Sequence, residues 1–131
     1  MNLDVPALRE FWAEQHLCTL TTLRGDGSPH VVPVGATLDA EAGLARVTAS
    51  RTSAKVRHVL AGAARVAICQ VDGARWSTLE GLAVVRDDPE SVAEAVRRYA
   101  ERYRAPRINP SRVVLEVSIT KVLHSSRLTG G

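Results

Sequence analysis

Two short glycine turns constrain this 131-residue chain more than any other feature. Gly25-Asp26-Gly27 separates a Leu/Thr alternation at residues 17–23 from an apolar run at 29–38, and Asp72-Gly73-Ala74 separates residues 65–71 from 76–85. A link of two or three residues can return a strand only beside itself and antiparallel, whereas a parallel crossover needs a dozen residues or more. The chain is therefore read as two β-hairpins, and a parallel βαβ sheet fits less well.

The remaining segments fit around these hairpins. Residues 44–50 form a third strand, which runs into a helix opening at Thr52 with Val56, Val59, Leu60 and Ala63 on its apolar stripe. A short first helix is expected from Asp4 as cap and Pro6 in the first turn, with Leu8, Phe11 and Trp12 on one face. Asp88-Pro89-Glu90 opens a third helix, with Val92, Val96, Tyr99 and Tyr103 lining one face and Arg97, Arg98 and Arg102 on the exposed side. Pro106 and Pro110 stop it, and residues 113–123 make a final alternating strand. Six mostly antiparallel strands with about three flanking helices predict a mainly β (α+β) fold, a small closed or nearly closed barrel. Pro33, inside the second strand, cannot donate to a ladder, so that strand is an edge, or it bulges near Pro33 and Gly35 where a flat ligand could approach the backbone.

Residues 1–131 are read as a single domain. The chain contains no apolar run of about 20 residues and no charged-then-apolar leader, which predicts a cytoplasmic protein with no membrane association. Cys18 and Cys69 stand alone in apolar strands without ligand spacing, so buried free thiols are expected and no structural metal. The net charge is only +3, yet six arginines lie between Arg97 and Arg112 against the single acid Glu101. An anionic partner suits that stretch, as does a solvated helix face. Nucleic acid does not, because aromatic residues make up only 4% of the chain and no stacking or groove-reading motif accompanies the charge.

Between residues 46 and 58 a strand passes through Thr48, Ser50, Thr52 and Ser53 into the second helix, with Arg51, Lys55 and Arg57 alongside. Free N–H groups at a helix start, hydroxyls and cations together form a phosphate cradle. The same residues would also make an ordinary capped surface helix with solvated charges. Neither a proton-transfer dyad nor a Ser-His-Asp or Cys-His set is present, so any difficult chemistry would belong to a cofactor.

Three stretches together resemble a known family: residues 20–35, Leu-Thr-Thr-Leu-Arg-Gly-Asp-Gly-Ser-Pro-His-Val-Val-Pro-Val-Gly; Ser50 through Lys55; and Gln70 to Trp76 with Leu79-Glu80-Gly81. The family is that of the flavin and deazaflavin oxidoreductases built on the split β-barrel of pyridoxamine-phosphate oxidase. The Gln70–Trp76 hairpin and residues 102–117 are most similar to coenzyme F420-dependent biliverdin reductases. The resemblance implies a six-stranded antiparallel split β-barrel that acts as a homodimer, with F420 as hydride donor (FMN as the alternative) and a tetrapyrrole such as biliverdin as the small-molecule substrate. A non-catalytic F420-storage protein is a further alternative. It implies that Thr48, Ser50, Arg51, Ser53 and Lys55 hold the cofactor phosphate and that Val32, Pro33, Val34 and Gly35 face the ring. Gln70 would reach the ring's polar atoms, and Arg75 and Trp76 would line the acceptor side. Many relatives carry asparagine where this chain has His58.

Overall fold

The computed structural model describes residues 2–129. In chain order the elements are α1 (Pro6–Ala13), β1 (Cys18–Leu23), β2 (Pro29–Val34), β3 (Ala36–Asp39), β4 (Leu44–Ser50), α2 (Ala54–Leu60), β5 (Arg65–Asp72), β6 (Arg75–Arg86), α3 (Pro89–Arg102) and β7 (Arg112–His124), followed by a short 3-10 turn at Ser126–Leu128. All seven strands lie in one antiparallel sheet of order β2-β1-β5-β6-β7-β4-β3. Both glycine-turn hairpins form as the short links require. None of the described helices is long and apolar enough to cross a membrane.

The strand count is seven rather than six because the run at 29–38 breaks at Gly35. That break closes the barrel. β2 and β3 are the two outer strands of the sheet, yet one residue joins them. Consecutive Cα atoms are about 3.8 Å apart, so Val34 and Ala36 cannot be separated by more than roughly 7 Å. The sheet must curl until its edges meet at Gly35, and it stays split where they diverge. The predicted bulge is not at Pro33 but on β7, where Thr120 is left unpaired opposite the Glu80–Gly81 step of β6; there a Cβ on Gly81 would collide with the Ser118 carbonyl oxygen.

Pro33 does mark an edge strand. Arg24 N–H donates to Ser28 C=O at the hairpin end, and alternation from there puts the backbone polar groups of Pro29, Val31 and Pro33 on the free side of β2. Two of those three positions are prolines, so Val31 N–H is the only donor left along the edge, which suppresses pairing with another strand.

Inside the curl lie Leu20, Val47, Ile68, Leu79, Leu115 and Val117, closed at one end by Leu8, Phe11 and Trp12 of α1. Each contributes about 1.5–3 kcal/mol by leaving water. Helix α1 is capped by Val5, not Asp4, whose carboxylate instead pairs with Arg9 at 2.7 Å. Helix α2 starts at Ala54 with Ser53 at the cap position and ends at Leu60. Val56 and Val59 are buried, Leu60 is exposed, and Ala63 lies beyond the helix. For α3 the expected cap is present, Ser91 N–H donating to the Asp88 carboxylate at 3.0 Å. This helix packs on the outer face of β3, β4 and β7.

Arg102 was expected on the solvated side of α3, yet it is 8% exposed. Its guanidinium donates to Glu14 C=O (2.8 Å), Ala36 C=O (2.5 Å) and the Gln70 side-chain oxygen (2.6 Å). No carboxylate pairs with it among the described residues. Tyr103 O–H donates to His16 C=O at 2.7 Å, and its oxygen receives Ala36 N–H at 3.2 Å. The end of α3 thus bolts the barrel seam at Gly35–Ala36. Cys18 is buried beside this network, its Sγ 3.4 Å from the Gln70 side-chain oxygen, and its thiol pKa is pushed up by burial. Cys69 is half-buried, not buried as expected.

Candidate anion and cofactor site

Strand β4 alternates strictly, with Ala45, Val47 and Ala49 buried and Arg46, Thr48 and Ser50 on the other face. Where β4 ends, a tight turn forms. Ser53 N–H and its hydroxyl both donate to Ser50 C=O, at 3.0 and 2.8 Å. The hydroxyl that could have capped α2 is thereby spent on the turn. Arg51 N–H donates to Ser111 C=O at 2.8 Å. Asn109 Nδ2 donates to Ser50 Oγ at 3.0 Å, so the Ser50 O–H proton is left to point at a further acceptor. The N–H groups of Ala54, Lys55 and Val56 open the helix without backbone acceptors among the described residues.

Lys55 is half-buried and has no carboxylate or hydrogen-bond partner among the described residues, and burial lowers its pKa from the ordinary lysine value. A cation taken out of water without compensation is a site waiting for an anion. Arg51 is more than half exposed and meets Asp87 at 3.4 Å, a loose pair that an incoming anion can displace. Lys55 and His58, three apart on α2, share a helix face. That face looks to the β1–β2 hairpin, because His58 Nδ1 lies 2.9 Å from Thr22 Oγ1 and the His58 ring meets His30 edge-on at 5.1 Å. His30 Nδ1 is buried without a partner. Burial first, then His30, Arg24 and Arg57, push the His58 pKa down. The Thr22–His30–His58 group was missed from sequence. Its one legible trace was the three-residue spacing of Lys55 and His58.

Chemically this donor set fits a phosphate: a desolvated ammonium, a free hydroxyl proton and a helix start. Thr48, Ser50, Arg51, Ser53 and Lys55 are brought to one end of β4 and its turn. The ring-facing set is less uniform. Val32 and Val34 turn toward the core while Pro33 turns outward, and the backbone groups of Val32 and Val34 are engaged in the ladder with β1. At Gly35 a Cβ would stand 2.7 Å from Tyr99 Cε2 and 3.1 Å from Tyr103 Cε2. The close approach this glycine permits is taken by those tyrosines and not left for a ligand.

Gln70 is 1% exposed, its Nε2 donates to Phe11 C=O at 2.9 Å, and its oxygen accepts from Arg102, so both ends of its amide are engaged in the core. Arg75 donates both Nη groups to Glu14 (2.9 and 3.0 Å), also to Asp72, and lies 4.7 Å from the Phe11 ring centre. Arg75 and His16 hold the Glu14 carboxyl down at about 2. Donor atoms of Glu14, His16 and Asp72 lie within 4.8 Å of one another, but the Arg75 guanidinium already pairs with both acids. Trp76 is 38% exposed on the outer face of β6, together with Leu82 and Val84, and next to Val71 of β5; Val31 of β2 is exposed on the same face in the row of Thr21, Ala67 and Glu80.

Residues 5–126 match the pyridoxamine 5'-phosphate oxidase family. The chain belongs to that family. Within the family it is 52% identical, over 118 residues covering 90% of this chain and 85% of the relative, to the F420H(2)-dependent biliverdin reductase of Mycobacterium tuberculosis (strain CDC 1551 / Oshkosh). The kinship read from residues 70–76 and 102–117 is thereby borne out. Among solved structures, one titled F420 Reductase superposes with TM-score 0.71 at 23% identity, covering 88% of this chain and 94% of its own. A conserved hypothetical protein of Mycobacterium tuberculosis superposes with TM-score 0.77 at 21% identity, covering 90% and 81%. At those identities the two structures establish the pyridoxamine 5'-phosphate oxidase-like barrel and nothing further.

Proposed function

We propose that this protein is an F420-dependent reductase that acts as a homodimer on a conjugated tetrapyrrole, with biliverdin to bilirubin as the leading reaction. The observation that carries the reading is Lys55, a half-buried ammonium without an anion, beside the free Ser50 hydroxyl proton. The 52% identity to an F420H(2)-dependent biliverdin reductase supports the choice of coenzyme and acceptor.

When bound, reduced F420 supplies a hydride from C5 of its deazaflavin. Lys55, Ser50 and the N–H groups opening α2 would hold its phosphate, Thr48 and Arg51 would complete the cradle, and Ser53 fixes the turn that presents them. The β2 segment Val32–Val34 would wall the ring through Pro33 and the free edge at Val31 and Pro33, while the Val32 and Val34 side chains anchor that wall to the core. The apolar outer face carrying Val31, Val71, Trp76, Leu82 and Val84 supports docking of a second copy, and Trp76 there is placed to border an acceptor between the two barrels. No side chain need be a proton-transfer dyad. The protein positions two partners and excludes water.

The test is to mix purified protein with chemically reduced F420 and biliverdin and follow F420 reoxidation and bilirubin appearance together, with FMN and NADPH as alternative donors. Coupled, stoichiometric signals from F420 alone are expected, with Lys55→Ala weakening coenzyme affinity while leaving the fold intact. Flavin absorbance in the purified protein with FMN turnover would replace F420 by FMN. Tight F420 binding without turnover would make the protein a coenzyme-storage module.

A further inference from the structure

Six arginines between residues 97 and 112 suggested an anionic partner, and the structure separates them by what each touches. Arg97 is held by Glu94 and Glu101, at 2.7 and 2.6 Å. Arg98 is held by Asp39 and Glu94, both at 3.1 Å. Arg102 is buried in the seam. Arg112 donates to Arg107 C=O. Arg104 and Arg107 remain, both exposed and without a carboxylate partner among the described residues. They do not lie on a featureless surface. Together with Tyr99, Ala105 and Pro106 they line a hollow of about 450 Å³ that no acidic residue enters.

The loop bearing them is fastened to the candidate phosphate cradle. Asn109 donates to Ser50 Oγ and accepts Ser111 N–H at 2.9 Å, Arg51 N–H donates to Ser111 C=O, and Ser50 is paired with Arg112 across β4 and β7. The hollow is thus joined through Asn109 to the place where Lys55 and Ser50 await an anion. Two residues lie between Arg104 and Arg107, so their Cα atoms are no more than about 11 Å apart. Two planar forks lining one hollow suit carboxylates carried on one flexible chain. A nucleic-acid strand would need stacking surfaces, and Tyr99 is the only aromatic residue lining the hollow.

We propose that the Tyr99–Arg104–Arg107 hollow is a subsite for an oligocarboxylate segment of a ligand, two or more carboxylates strung beyond the group held at Ser50 and Lys55. The inference rests on the coenzyme reading of that cradle. Two ligands of the proposed reaction carry such carboxylates, the glutamate tail of F420 and the two propionates of the tetrapyrrole, and the experiment separates them.

The variant is Arg104→Gln/Arg107→Gln, which touches neither the core nor the cradle. Affinities are read by fluorescence for long-tailed F420 and for the same deazaflavin lacking its tail. KM is read for biliverdin and for its dimethyl ester. Binding of a γ-linked triglutamate peptide is read by NMR shifts. If the tail occupies the hollow, the variant binds long-tailed F420 about tenfold more weakly, near 1.4 kcal/mol, and tail-less deazaflavin unchanged. If the propionates occupy it, KM for biliverdin rises about tenfold and that for the dimethyl ester does not move. Either result supports the subsite. Equal weakening of tailed and tail-less forms, or no change in any of these, overturns it. Should the wild-type protein bind no F420 at all, the coenzyme reading fails, and the peptide still decides the subsite: shifts at Tyr99 and residues 104–107, lost in the variant, sustain it, and their absence overturns it.

Discussion

Replacing Arg102 by Met is expected to destabilise the fold by about 3 kcal/mol, a large share of the 5–15 kcal/mol that holds a domain of this kind. Methionine keeps the length and much of the apolar stem, so the change removes the guanidinium with little loss of packing. Three buried acceptors lose their donor: Glu14 C=O, Ala36 C=O and the Gln70 side-chain oxygen. An acceptor left unsatisfied in the interior costs about 1–3 kcal/mol, which sums to roughly 3–9. Against this stands the burial of a cation without a carboxylate, whose removal returns several kcal/mol. The acceptors win because two of the three are backbone carbonyls, which cannot turn away to find water. Arg97 on the same helix provides the control. It is exposed and tied only to Glu94 and Glu101, so Arg97→Met should cost less than about 1 kcal/mol. Urea unfolding at constant m-value measures both. A shift for Arg102→Met no larger than for Arg97→Met would refute the argument, since it would mean that water enters the seam and satisfies these groups.

Gly35→Ala should cost about 1–3 kcal/mol, because its Cβ would arrive 2.7 Å from Tyr99 Cε2, and pairing it with Tyr99→Ala should recover part of the loss in a double-mutant unfolding cycle. Glu14 titrates at about 2 in the fold against an ordinary 4.5, so its contribution is present above pH 4.5 and lost as pH falls toward 2. That contribution is at most about 1 kcal/mol because the pair is partly exposed, and acid-unfolding curves of Glu14→Gln should be flatter over that window. Burial lowers the Lys55 pKa, so folding is penalised while the ammonium is charged and relieved as pH rises through the lowered value. Inorganic phosphate affinity, measured by calorimetry, should therefore begin to fall below the usual lysine range in the wild type and stay level in Lys55→Arg.

Local features of this chain were legible where a short-range rule acts alone. Glycine turns of two or three residues forced two hairpins, Asp88-Pro89 opened α3, and the alternation of residues 44–50 placed Thr48 and Ser50 on one face. Misreadings occurred where a distant segment set the environment. Arg102 and Gln70 look like a surface cation and a reachable amide until the curl of the sheet brings α3, β3 and β5 together and each satisfies the other. Gly35 looked like a landing for a ligand, but two tyrosines from α3 reach it from more than 60 residues away in the chain. The bulge sits on β7 at Thr120, opposite the step where Gly81 passes the Ser118 carbonyl, a contact between strands that no residue near Gly81 announces.

The sequence by itself therefore determined the antiparallel hairpins, the helix starts and the hydroxyl-and-cation segment from Thr48 to Lys55, all of which follow from steric and hydrogen-bonding preferences a few residues long. Only the tertiary structure decided which charges are free. An arginine's charge is the same in every environment, but whether it is neutralised, buried or left to meet a ligand depends on acceptors tens of residues distant. That arrangement takes Arg102 into the core and leaves Lys55, Arg104 and Arg107 without a carboxylate partner among the described residues.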